Sequence, residues 1–155
     1  MNNKLLVVAD LGCLKAYRVS DDKSSSSPRL ELIEVFNNPD AHGKLIDKVT
    51  DGGGRFEGGN SRLAGGHGNG ERHNINLELA KRAIREMAKK ISVLIKGEKD
   101  SAACYFAASK EINRPILEHL DRDARARIVA NLPENLIHTH KSELLGHFAH
   151  AGVAV

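Results

Sequence analysis

At 155 residues, with 41% hydrophobic and 28% charged residues, the chain has the size and composition of one globular domain. Its formal net charge of +3 permits a nucleic-acid partner but is too small to demand one. Two cysteines with no CxxC spacing, no secretory leader, and an apolar N-terminal run that ends within Leu5 to Ala9 argue against a disulfide scaffold and a membrane span. The expectation is a cytoplasmic protein with reduced thiols and no membrane partner. Aromatics make up only 4%, so the core must rest on Leu, Ile, Val and Ala, and base stacking has few candidates beyond Tyr17, Phe56 and Tyr105.

"KLLVVADLGCLKAYRV" reads as a strand, a tight turn at Asp10-Leu11-Gly12 and a second strand. The continuous apolar run suits a sheet buried on both faces. Asp can bond its own backbone in the turn, and Gly tolerates positive φ. "SDDKSSSSPR" is a polar loop, and "LELIEVF" alternates as a third strand, giving an antiparallel meander. From Asn74 the period changes. Leu77, Ala80, Ile84, Met87, Ile91 and Leu94 recur at spacings of three and four, which predicts a helix over 75–96, capped by Asn74 or Asn76 and ended by Gly97. A strand in "SAACYFAAS", a helix with Pro115 in its first turn, a strand in "RIVANL" and a closing helix in "HTHKSELLGHFAHAG" complete the order. The expected fold class is α/β, one domain over 1–155, with a mixed β-sheet: a β-β-β meander, then α-β-α-β-α.

Between meander and helix lies "DGGGRFEGGNSRLAGGHGNGERHN", Asp51 to Asn74, with nine of the fourteen glycines. It is expected to form a long glycine-rich loop over 51–73. Neither GxGxxG nor GxxxxGK[ST] occurs there with a strand before it and a helix after it, which argues against a nucleotide loop. The polar side of the following helix carries Lys81, Arg82, Arg85, Lys89 and Lys90, which could grip phosphates beside the loop or form a solvated, salt-bridged face with Glu78 and Glu86. The histidines of "HTHKSELLGHFAH" lack HExxH spacing and a cysteine to complete a zinc site, so no metal is expected. Asp10 ends a strand as a nuclease carboxylate would, but two-metal chemistry needs several convergent acids, and a turn role suffices.

The segments "LVVADLGCLKAYRV", "LIEVFNNPDAHGKLIDKVTDGGGRF", "RHN" and "AACYFAASKEINRPILEHLDRDARARIVANLPENLIHTHKSEL" resemble, in the same order, the bacterial host attachment protein family. That family opens on a VaD strand and turn, continues through a P-x-A/R segment to an Asp and a G-R-x-F-like stretch, and closes on an LxxxLxxxxRxrVvxxlxkdLt element. This chain has Asn131-Leu132-Pro133-Glu134-Asn135-Leu136 where the family prefers a Lys-Asp-Leu-Thr type of sequence. The family name records a phenotype and specifies no chemistry.

A narrower resemblance is to the middle domain of archaeal and eukaryotic class 1 peptide chain release factors. There a loop bearing Gly-Gly-Gln leads into a helix that opens with Arg-His-Asn. Here "GGNS" stands at Gly58 to Ser61 and "ERHN" at Glu71 to Asn74, with Asn60 where the release factors have Gln. The resemblance implies an RNase-H-like core and a ribosome- or RNA-associated domain with ribosome, tRNA or rRNA as partner. It makes Gly58, Gly59 and Asn60 the contact element, with little or no peptidyl-tRNA hydrolysis. Arg55, Arg62, Arg72, His73, Lys81 and Arg85 are the expected RNA- or partner-binding residues, and no cofactor is implied. A codon-reading domain is absent from the sequence, so no stop-codon recognition follows. The alternative is a non-enzymatic module that docks another protein in host attachment.

Overall fold

The computed structural model describes residues 4–21, 23–39, 68–99 and 102–153, with residues 68–76 described through their backbone alone. Five strands form one mixed sheet in the order β3-β2-β1-β4-β5. They are β1 (Lys4–Ala9), β2 (Cys13–Ser20), β3 (Arg29–Asn37), β4 (Ala103–Ala108) and β5 (Ile128–Leu132). β1 runs antiparallel to β2 and parallel to β4, with Val7 opposite Ala16 on one side and Phe106 on the other. β3 is antiparallel to β2, with an irregularity between Ala16 and Tyr17, and β5 is parallel to β4. The expected meander, followed by parallel strands joined through helices, is the observed topology.

The apolar run of β1 has a simple cause: both sheet faces are covered. Successive side chains alternate across a strand, so Leu5, Val7 and Ala9 enter one core with Leu14, Ala16, Cys104, Phe106 and Ala108. Leu6 and Val8 enter the other with Tyr17, Val19, Tyr105 and Ala107. Helices α1 (Gly68–Gly97), α2 (Lys110–His119) and α3 (Arg122–Ala126) supply Met87, Ile91, Ile95, Ile112, Ile116 and Ala124 to the first core. Helix α4 (Lys141–His150) closes the second with Leu144 and Phe148, whose ring lies 5.4 Å from that of Tyr105, centroid to centroid.

The β1–β2 turn rests on Asp10. Its Oδ1 accepts from the backbone N–H of Gly12 at 2.9 Å and of Cys13 at 2.7 Å. Positive φ plays no part in it, for among the described residues the positive-φ glycine is Gly152, after α4. Asn38, fully buried, ties three elements together: its backbone N–H donates to the Gly12 carbonyl at 2.9 Å and its Nδ2 to the Ala83 carbonyl of α1 at 3.0 Å.

Three sequence expectations change. α1 begins at Gly68, so residues 68–73 of the expected loop are helical and Asn74 and Asn76 lie inside the helix rather than at its cap. Poor helix formers such as Gly68 and Gly70 argue locally against this start. Leu77 is directed as its period demands, yet it is 45% exposed, because the covered part of the helix begins at Ala83. α2 begins at Lys110, which puts Pro115 at its sixth residue rather than in its first turn, and a break at Leu120 and Asp121 separates it from α3.

Candidate nucleic-acid interface

α1 is 30 residues long, about 45 Å at 1.5 Å per residue. Its C-terminal half is bound to the body of the protein. The last carbonyls of a helix lack intrahelical partners and carry partial negative charge. Arg127 meets one of them and two just past the helix end: its Nη1 donates to the carbonyl of Ile95 at 2.8 Å and reaches those of Glu98 at 3.4 Å and Lys99 at 3.5 Å. Arg18 reaches Glu98 from β2 at 2.8 Å, and that hydrogen bond, with the carboxylate's charge, pushes the Arg18 pKa up. Lys96 pairs with Asp121, whose backbone N–H donates to the Ser92 hydroxyl at 3.1 Å. The half that carries Met87, Ala88, Ile91 and Ile95 is thereby fixed against the sheet.

A helix turns about 100° per residue, so positions four apart advance about 40° and rise about 6 Å. Lys81, Arg85 and Lys89 therefore form a slightly twisted row, with Arg82 beside it, and all four side chains are exposed. Glu78 touches this row at its N-terminal end, 3.3 Å from Lys81. Both partners are about two-thirds exposed, and a pair of that kind contributes little to stability. Lys90 leaves the group. It turns to the other flank, 3.4 Å from Glu34 of β3 and 5.7 Å above the Phe36 ring centroid. There Phe36, Glu86, Lys89, Lys90 and Val93 line a shallow groove of about 200 Å³.

Of the sequence-predicted site residues, Lys81 and Arg85 lie together on this row. Arg72 and His73 are in the early turns of α1, their side chains outside the description. Arg55, Gly58, Gly59, Asn60 and Arg62 lie outside the described residues. Arg127, which fixes the helix, escapes a local reading because the carbonyls it serves are 28 to 32 residues away in sequence.

The other candidates are absorbed structurally. Asp10 serves its turn. His140 Nδ1 accepts from the Ser142 N–H at the start of α4, and His147 Nδ1 lies 3.2 Å from Glu134. Among the described residues no group of three or more His, Cys, Asp or Glu gathers as a metal site, and no helix is long and apolar enough to cross a membrane. Cys13 is half-buried, its thiol pKa raised by burial and then by the Asp10 charge, and Cys104 is fully buried.

A family model described as "Protein required for attachment to host cells" matches residues 5–148. No curated protein sequence matches the chain. Among solved structures the chain is similar to the ethanolamine utilization protein EutJ from Carboxydothermus hydrogenoformans, at 14% identity and a TM-score of 0.40, over 88% of this chain and 47% of that one. The chain thus spans about half the length of that structure.

Proposed function

We propose, for a chain that belongs to the family of proteins required for attachment to host cells, a release-factor-like role in which it associates with the ribosome or another structured RNA through the basic row of α1. The observation that carries this reading is the exposed row Lys81, Arg85 and Lys89, flanked by Arg82, on a helix whose other half is tied to the sheet. Cations at helical spacing form a row that matches a run of phosphates, and phosphate contacts of this kind position a protein on nucleic acid. In this reading Gly58-Gly59-Asn60 precedes the row as the contact element, and the protein works in the cytoplasm. The finer fold reading, an RNase-H-like sheet of the release-factor middle-domain kind, belongs to the same proposal. It draws on the order β3-β2-β1-β4-β5, with β2 alone running against its neighbours.

The side-chain amide of Asn60 ends about one methylene short of a glutamine's, and misplacement on the order of 1 Å can lower a rate about 100-fold. Little or no peptidyl-tRNA hydrolysis is therefore expected, and Asn60→Gln should raise it. The test of the binding reading is co-sedimentation of purified protein with ribosomes at about 50 and about 200 mM salt. Each phosphate contact contributes about 0.7–0.9 to the log–log salt slope, so K81A/R85A/K89A should weaken retention and flatten the slope by roughly 2–3. Retention by the triple variant equal to wild type would remove the basic row from the account.

A second reading, a non-enzymatic module that docks another protein in host attachment, draws on the groove of Phe36 and Val93 beside the edge strand β3, where Val93 is 60% exposed. Absence of any salt-dependent retention on ribosomes or RNA would bring it to the front.

A further inference from the structure

The face of α1 that carries the row says something about the form of its ligand. Single-stranded nucleic acid is held largely by bases stacked on exposed aromatic rings, whereas a double helix offers its phosphate backbone with the bases turned inward. The described aromatic residues are withdrawn from such use. Tyr17, Tyr105, Phe106 and Phe148 are buried in the two cores. Phe36 is half-buried in the groove that it shares with Lys89 and Lys90, and the Lys90 ammonium stands over its ring. The row's own surroundings are Arg82, Glu78 and, about two turns beyond Lys89, Lys96 held by Asp121. Among the described residues the exposed apolar side chains beside the row are Leu77 and Val93, aliphatic groups that offer no ring for a base to stack on.

We infer that the row Lys81, Arg85 and Lys89 seats the phosphate backbone of a double helix, without reading base identity. The inference rests on the nucleic-acid reading above and narrows it. Lys81 and Lys89 lie about 12 Å apart along the helix axis, so one helix face presents three cations to successive phosphates. A flexible single strand would have to be ordered along that face with no stacking to offset the lost freedom. A double helix arrives already ordered.

The test uses the full chain in fluorescence anisotropy at low salt, with four probes of equal length: two mixed-sequence RNA duplexes of unrelated sequence, a DNA duplex, and an unstructured uridine single strand. Both RNA duplexes should bind equally, and at least about tenfold tighter than the single strand. K81A/R85A/K89A should lose at least about tenfold on the duplexes, whereas K81R/R85K/K89R, which keeps the charges, should stay within a few-fold. Lys90→Ala, on the opposite flank, should change nothing beyond about twofold, which separates the row from general positive charge. DNA duplex binding equal to RNA would support the backbone inference and show that the ribose hydroxyl is not read. Weaker DNA binding would support it with A-form geometry added. Single-strand binding as tight as duplex binding, lost in the triple alanine variant, would overturn this inference and leave the RNA reading standing. Failure of every probe to bind would overturn both.

Discussion

Ile84 and Ile91 lie seven residues apart on the same stripe of α1, and burial tells them apart. Ile91 is fully buried against the sheet, whereas Ile84 packs at its margin and stays partly exposed. Ile91→Asp puts a charge with no partner into the core and should cost about 3–5 kcal/mol in chemical denaturation. Ile84→Asp should cost clearly less, and Leu77→Asp should fall within about 0.5 kcal/mol of wild type. Equal losses at 77 and 91 would mean that the N-terminal half of the helix is covered after all. Cys104 offers a pH-resolved counterpart. Burial pushes its thiol from the ordinary 9.0 up to about 12. Because the folded value is the raised one, the unfolded chain ionises first: the stability due to the neutral thiol is full below about pH 9 and falls as pH climbs towards 12. Denaturation midpoints between about pH 8 and 10.5 should therefore drop more steeply for wild type than for Cys104→Ala. Parallel curves would refute the burial argument.

At the scale of elements, the end of α1 and the two residues after it are held through their carbonyls. Arg127→Ala withdraws the guanidinium that serves Ile95, Glu98 and Lys99, and should destabilise the protein by about 1–2 kcal/mol. Arg127→Lys should recover only part of that, since the shorter, flexible lysine ammonium is not pre-set at this position as the planar guanidinium is. A full recovery would show that charge alone matters. This clamp also marks the limit of what was legible beforehand. The period of three and four placed α1 correctly around Met87 and Ile91, and the continuous apolar run marked β1 as a strand covered on both faces, because both signals are local. The start of α1 was not legible, because Gly68 and Gly70 favour other conformations in isolation. The site divides in the same way. Lys81 and Arg85 could be picked out as basic residues on one helix. That Lys90 turns away to Glu34, and Lys96 to Asp121, depends on residues dozens of positions distant, which no local spacing encodes.

For the molecule as a whole, these attachments divide α1 into two mechanical parts. From Ala83 onward it shares a core with β1 and β4, whose side chains are almost wholly buried, and it carries the Arg127 and Glu98 attachments. Residues 77–82 contribute no buried side chain. A helical stretch without tertiary packing is only marginally stable in water, so its hydrogen bonds open without global unfolding. Hydrogen exchange should therefore show amides from Met87 to Ile95 exchanging with the sheet as one cooperative unit, and those of residues 78–82 at least roughly 100-fold faster. The basic row straddles the boundary: Lys81 stands on the loose part, Lys89 on the fixed part, and Arg85 between them. A rigid ligand that bridges all three must hold the two parts in one line. Saturation with an RNA duplex should accordingly slow exchange across 78–82 while leaving Met87 to Ile95 unchanged. Slowing confined to the fixed part would place the ligand on Lys89 alone, and uniform protection in the free protein would show that the division does not exist.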